Sequence, residues 1–397
     1  MKILSHGFRP ASGRWLDILP VELLILSLLV SLVSISLEQA LFFLAVAAWA
    51  VRMIKAKESL AFPRFFLPLI VYAGFSLVAS ALSVNRGDSF RDSRELILLI
   101  MVPLAYTAFR AVRDIGRANV AILVSAGVSL LYSAWYVLFK AGPGERVKGF
   151  MGHYMTQAGL LVLFAALALS MAAFSHGRRR FVWAAAFLLT CPALMLTLTR
   201  SAWIGLVVVV CVVLLSWRPK LVILVPVVAA AAYFASPATV KERARSIFSS
   251  QAYSNRVRLE YARAGFKIIR NFPLHGTGPD TVELEYQNPK YGLSDEARRL
   301  GTHLHNDYLQ IAAERGIPTV LAWLAFVVWA AVDLVRLLRK PRDATVQPLA
   351  VAGLAALLAF LVAGVFEYNW GDSEITFLLL YLITIPFAAF RLASSRD

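Results

Sequence analysis

The sequence predicts an all-α integral membrane protein of about twelve transmembrane helices, interrupted once by a large polar loop. Three observations lead there. Of 397 residues, 59% are hydrophobic and 16% are charged, well below the charged quarter of a soluble domain. Apolar runs recur along the whole chain, each near the roughly 20 residues that cross a hydrocarbon core. Between residues 237 and 316 this pattern lapses into polar sequence.

The spans fall at about 18–36, 38–54, 65–83, 95–112, 118–139, 156–175, 181–198, 201–217, 220–236, 317–338, 346–366 and 374–391. The first residues are polar and basic, and Ile18–Ser36 is long enough to span rather than to be a signal h-region, so no cleavable signal peptide is expected. Ser36–Glu38, Thr199–Arg200 and Trp217–Lys220 must be tight turns. Pro103, Pro192 and Pro226 interrupt spans singly and do not pair into repeated halves, as inverted-repeat transporters would require. Cys191 and Cys211 lie inside apolar runs without metal-site spacing, which points to small packing residues. The chain therefore divides into residues 1–236 (spans one to nine), 237–316 (polar loop) and 317–397 (spans ten to twelve).

Net charge is +16. In a soluble protein that would point to nucleic acid; here Lys and Arg are expected to crowd the cytoplasmic loops. With the N-terminus inside, the cytoplasmic segments hold 21 Lys and Arg and the short outer loops hold 7. That bias places both termini in the cytoplasm and the Pro237–Gly316 loop outside.

The outer loops nonetheless carry unusual cations. Arg86 lies in Ser83-Val-Asn-Arg-Gly-Asp88, and Arg146 and Lys148 lie in Gly142-Pro-Gly-Glu-Arg-Val-Lys-Gly149. Arg200, in Thr197-Leu-Thr-Arg-Ser-Ala-Trp203, sits in so short a turn that its guanidinium must lie near the bilayer surface. Such a cation either snorkels to water or lipid phosphate, or pairs with a bound anion. Farther on, Asn255–Asn271 reads as a helix between Ser254 as N-cap and Pro273 as stop. Arg256, Arg263, Lys267 and Arg270 share one stripe, with Val257, Tyr261, Ala264 and Ile268 beside it. This helix could adhere to anionic lipid, or Arg256 could grip a specific anionic ligand. Phe272-Pro-Leu-His-Gly-Thr-Gly-Pro279 implies a tight bend or a close approach to a ligand.

Gly301-Thr-His-Leu-His-Asn-Asp-Tyr-Leu309 concentrates chemistry in an otherwise apolar chain. His305-Asn306 opens a helix that runs to Gly316 as its C-cap. His303 and His305 diverge if helical and converge only if the chain is extended there. His275 and Glu283 are possible further metal ligands, but no HExxH spacing exists. The open readings are a metal ligand, a solvated histidine and a general base that takes a hydroxyl proton near neutral pH. Arginines in several outer loops beside one outer histidine suit displacement at an anomeric carbon with a diphosphate leaving group. Fixed cations would stabilise the departing charge without a metal, and the outer loops lack an Asp-x-Asp pair.

At these residues the chain resembles the bacterial O-antigen ligases of the O-antigen ligase/polymerase superfamily. His305-Asn306, nine residues, then Gly316 is similar to the family's His, Asn/Ser/Gln, nine residues, Gly-x-x-Gly, with Thr319 in place of the second Gly. Arg256 before Pro273-Leu-His-Gly-Thr-Gly278, and Arg200 at a span end, look like the family's arginines. The resemblance implies a GT-C-like fold and a metal-independent inverting glycosyltransferase in the bacterial inner membrane. It would move O-antigen glycan from undecaprenyl diphosphate to lipid A-core at the periplasmic face, in lipopolysaccharide biosynthesis, with no cofactor and no nucleic acid. His305 would be the base, supported by Asn306 and His303; Arg200 and Arg256, with Arg86 and Arg146, would hold the donor diphosphate. A polymerase or a protein O-oligosaccharyltransferase of the same superfamily is the near alternative. A transporter of lipid-linked sugars is the alternative of another class, and it would want polar residues at mid-span that the spans largely lack.

Overall fold

The computed structural model describes residues 14–142, 144–247, 253–340 and 343–394. Lys2, Arg9, Arg342 and Arg396, counted above for orientation, lie outside them. The described chain is helical throughout, without strands. The first half comprises α1 (Arg14–Val30), α2 (Ile35–Ala56), α3 (Phe66–Ala81), α4 (Arg86–Asp92), α5 (Met101–Ala108), α6 (Val112–Phe139), α7 (Tyr154–Phe174), α8 (Gly177–Leu196) and α9 (Arg200–Trp217). The second comprises α10 (Val225–Ala235), α11 (Ala238–Arg245), α12 (Tyr253–Asn271), α13 (Val282–Tyr286), α14 (Asp295–Leu300), α15 (Asp307–Arg315), α16 (Ile317–Leu338), α17 (Val346–Ala363) and α18 (Ser373–Ser394).

Each of the twelve expected spans falls on helix. Among the described residues eight helices are long and apolar enough to cross a membrane: α2, α6, α7, α8, α9, α16, α17 and α18. The other four are shorter or broken. Helix α3 has 16 residues, which reach about 24 Å at 1.5 Å per residue. The fourth span divides into a 3₁₀ turn, Ser93–Ile100, and α5. The ninth divides into a 3₁₀ turn, Pro219–Leu224, and α10. In both, a proline (Pro103, Pro226) near the start of the α segment lacks the N–H that would continue the ladder. The first span ends at Val30 rather than Ser36, because Ser34 caps α2 by accepting from the Leu37 N–H at 3.4 Å.

Helices apolar on every side occupy the centre. Helix α17 packs against α7, α9, α16 and α18, and α7, α17 and α18 are the most deeply buried of the spans. Small residues permit this. A Cβ at Gly353 of α17 would meet the Leu382 carbonyl oxygen of α18 at 2.7 Å, so the two backbones touch only because that side chain is absent. Helices α1, α2 and α6 form one flank, and α3 lies along α16. Cys191 and Cys211 are free and half-buried.

The polar segment has its own small core: Val257, Tyr261, Ala264 and Ile268 of α12 pack with Val282, Tyr286, Tyr291, Leu293, Ala297, Leu304 and Ala313. The apolar stripe of α12 therefore faces protein, while its basic residues Arg256, Arg263, Lys267 and Arg270 are exposed as expected. This segment sits on one end of the bundle. Ser83 Oγ donates to Thr277 O at 3.1 Å, Arg146 reaches the 197–199 turn, and Asn306 donates to Val365 O at 2.8 Å. Four chain segments distant in sequence converge there. A second charged network joins Asp17, Arg52, Glu58 and Arg110.

Candidate active site

Helix α15 carries the histidine segment and is pinned at both ends. At its start Asn306 is extended, and its side chain accepts from the Leu309 N–H at 2.8 Å. Asn306 is thus the N-cap, at the point where the sequence opens this helix. The same side chain donates to Val365 O, the Asp307 N–H donates to Gly364 O at 2.8 Å, and Asp307 Oδ1 accepts from the Trp370 N–H at 2.9 Å. At its end the Thr277 N–H donates to Ala313 O at 3.0 Å and the Gly278 N–H to Glu314 O at 2.8 Å. Gly276 has φ +67°, and a Cβ there would strike the Glu314 carbonyl. The close approach expected of the glycine turn is thus to the chain's own helix. Thr319, in place of a glycine, is buried and donates to Arg315 O at 2.5 Å.

These anchors hold His305 in the left-handed region, φ +50°, which a non-glycine residue occupies at a cost of about 1 kcal/mol or more. In that conformation its ring meets Glu367, on the segment between α17 and α18: His305 Nδ1 lies 2.8 Å from Glu367 Oε1. Glu367 is 5% exposed and also accepts from Arg258 Nη2 at 3.1 Å. Burial pushes its carboxyl up, but the His305 hydrogen bond and the charges of His305, Arg258 and His303 outweigh this and hold it at about 2. Glu367 is therefore an anion near neutral pH, and the proton in this bond belongs to His305 Nδ1. In the neutral ring the lone pair is then on Nε2. His303 stacks edge-on to His305, ring centroids 4.2 Å apart. Burial, with repulsion from His305, pushes His303 down to about 4, so it is neutral near pH 7. Asp307 is buried and pushed well above the usual carboxylate range by that burial, a neutral anchor.

Ligand atoms of His303, His305 and Glu367 lie within 4.8 Å of one another. Two imidazoles and a carboxylate form a donor set that zinc accepts. In the observed geometry Glu367 is already bonded to His305 through one oxygen and to Arg258 through the other. A cation would have to displace both. Neither His275 nor Glu283 belongs to the group among the described residues.

A second cluster surrounds the turn between α8 and α9. Leu198 is also left-handed, φ +53°, and its carbonyl accepts from Arg146 Nη2 at 3.0 Å and Arg243 Nε at 3.1 Å. Arg146 further donates to Thr197 O at 2.9 Å and lies over the Tyr154 ring at 3.3 Å. Arg200 opens α9 and donates to Ser246 O at 2.7 Å, Ser254 Oγ at 3.0 Å and Asn255 Oδ1 at 2.5 Å. Every one of these partners is neutral. Among the described residues no carboxylate lies within ion-pair distance of Arg146, Arg200 or Arg243. Burial, with repulsion from Arg243 and Arg258, pushes Arg146 down to about 10. Buried cations without anions are expensive and attract one. Of the arginines expected from the sequence, Arg146 and Arg200 join this cluster. Arg86 and Arg256 are exposed outside it, Arg256 over the Tyr253 ring.

Residues 185–324 match a protein-family model described as O-Antigen ligase. The match supports membership of the O-antigen ligase superfamily, a group of glycosyltransferase-like ligases and polymerases. The apolar helices are those of a multi-pass membrane protein. No curated protein matches the chain. The matched region runs from within α8 into α16. It contains the Leu198 turn, Arg200, Arg243, Arg258, His303 and His305, while Arg146 and Glu367 lie outside it.

Three residues of the site were not singled out by sequence reasoning. Glu367 lies in a short loop between spans, and counting only Lys and Arg for orientation passes over carboxylates. Arg258 was hidden by the stripe analysis: two positions past Arg256 it turns about 200° around the helix, away from the exposed stripe and toward Glu367. Arg243 sits in a basic run with no visible periodicity.

Proposed function

We propose that this protein is a metal-independent inverting glycosyltransferase of the inner membrane. It transfers O-antigen polysaccharide from undecaprenyl diphosphate to lipid A-core at the periplasmic face. The observation that carries the reading is the His305–Glu367 pair beside an arginine cluster that lacks carboxylates. His305 Nε2 takes the proton from an acceptor hydroxyl. The hydroxyl oxygen attacks the anomeric carbon from the side opposite the diphosphate, the anomeric C–O bond to diphosphate breaks, and its electron pair leaves with the diphosphate, inverting the centre. Glu367 stabilises the imidazolium that forms. Arg146 and Arg200, joined by Arg243, hold the departing charge, and Arg256 and Arg86 guide the anionic donor from the exposed surface.

A narrow apolar cavity supports the same placement. It is lined by Gly159, Val162, Leu163, Ala202 and Phe360, and bounded by Thr199 and Glu367. An apolar slot that begins at the arginine turn suits the first isoprene units of a polyprenyl donor.

The test is reconstitution of purified protein with undecaprenyl-diphosphate glycan and lipid A-core, protein or glycan acceptors. His305→Ala is expected to abolish transfer while the protein still folds. Arg200→Ala and Arg146→Ala are expected to lower donor use by roughly 10²-fold each. Wild-type rates with His305→Ala would remove the base assignment, and transfer only to glycan or protein would move the chain to a polymerase or protein transferase. Activity is expected to survive prolonged EDTA treatment; loss restored by a divalent ion would establish His303, His305 and Glu367 as a metal site instead.

A further inference from the structure

Tyr368 follows Glu367 and joins the base to a second cavity. Its ring centroid lies 5.9 Å from that of His303, its N–H donates to Glu367 Oε1 at 3.3 Å, and its hydroxyl lies 3.4 Å from Arg315 Nη1. The cavity is lined by Tyr72, Asp92, Glu95, Arg315, Tyr368 and Trp370 among others. Its character is opposite to that of the arginine cluster. Arg315 is 6% exposed and its charge is already met by Asp92 at 2.7 Å and Glu314 at 3.0 Å. Glu95 makes no ion pair among the described residues. The cavity thus offers a carboxyl group outside any ion pair, a tyrosine hydroxyl and aromatic rings.

We infer that this cavity is the acceptor-sugar subsite, which rests on the transferase reading above. The one guanidinium here is already paired with carboxylates, so no free cation awaits a diphosphate and the donor headgroup is left to the arginine cluster. Carboxylates accept hydroxyl protons in short, strong hydrogen bonds, and a few convergent polar groups beside aromatic faces orient a small ligand. A neutral hydroxyl-rich ring meets both conditions. A sugar seated against Tyr368 presents a hydroxyl on the side of His303 and His305, while the donor lies across Glu367 at the arginine turn. Two substrates then approach the base from separate cavities.

The experiment separates KM values for the two substrates. Glu95→Gln and Tyr368→Phe leave the Arg315 ion pairs in place and remove one cavity contact each. Each is expected to raise KM for lipid A-core about tenfold, with KM for undecaprenyl-diphosphate glycan unchanged within about twofold. A rise in donor KM instead, or no change in either KM for both variants, overturns the inference. Binding is measured independently by saturation-transfer NMR, using delipidated core oligosaccharide and full-length His305→Ala protein. The signal is expected to vanish when Glu95→Gln is added, and a signal that persists at full strength overturns the subsite. If wild-type protein transfers no glycan to lipid A-core, the transferase reading fails, and the NMR result alone still decides whether sugar occupies this cavity.

Discussion

His305 owes its proposed role to one hydrogen bond. Because Glu367 is anionic and bonded to Nδ1, the neutral ring is held in the tautomer that leaves Nε2 free, and the carboxylate faces the imidazolium that forms when Nε2 takes a proton. Glu367→Gln keeps the shape and removes the charge. It is expected to lower kcat by roughly 10²–10⁴-fold, measured by single-turnover transfer at neutral pH. An unchanged rate would show that Glu367 does not support the base. His303 is already neutral above about pH 4, so His303→Gln is expected to lower the rate far less than Glu367→Gln. The stability consequence follows the same sign. Glu367 titrates at about 2 against an ordinary 4.5. Its stabilisation is complete above about pH 4.5 and is lost as pH falls toward 2. Thermal unfolding of wild type and Glu367→Gln is expected to differ most at neutral pH and to converge as the medium is acidified.

At the scale of elements, α15 is a short helix that would be marginal alone. It is made rigid by caps at both ends. Asn306→Ala removes both the N-cap and the tie to Val365. It is expected to cost about 1–2 kcal/mol and to speed amide exchange at 307–310, read by hydrogen-exchange mass spectrometry. Unchanged exchange would mean that the 364–370 segment alone holds the helix. Gly276→Ala is the stronger perturbation, because its Cβ meets backbone rather than a movable side chain. It is expected to abolish transfer through displacement of α15, with a clear drop in thermal stability. The sequence made both residues visible: Asn306 at the start of an apolar helical pattern, the glycines as a demand for unusual backbone. It left open what the glycines approach, since a ligand and a neighbouring helix ask the same of them.

At the scale of the whole molecule, orientation rests on the bias of Lys and Arg between alternate loops. Exposed Arg86 and exposed Arg113 are expected on opposite sides of the membrane. With Cys191 and Cys211 replaced, a single cysteine at position 86 is expected to react with an impermeant maleimide from the periplasm and one at 113 is not. The reverse pattern would place the histidine segment in the cytoplasm and end the lipid A-core reading. The bundle explains why the site lies where it does. Segments 83–94, 140–153, 197–200 and 364–372 each close a pair of spans at the end where the polar segment docks, so a few residues from each reach one centre.

Helix, span, the Gly316 C-cap and the basic face of α12 were legible in the sequence, because each is set by neighbours a few positions away or by the thickness of a bilayer; Ser254, expected to cap α12, lies inside it. His305, Asn306 and Arg200 were legible as well, since polar groups stand out in a chain this apolar. The partners were not. Glu367 is 62 positions from His305, and no local pattern reports which carboxylate folds against which imidazole. Nor could periodicity distinguish Arg146 and Arg200, gathered without carboxylates around the Leu198 carbonyl, from Arg86 and Arg256, left exposed. Local chemistry determined which groups this protein carries. Packing of α7, α9, α15 and α17 decided which of them meet, because burial and charge depend on contacts that only the tertiary structure makes.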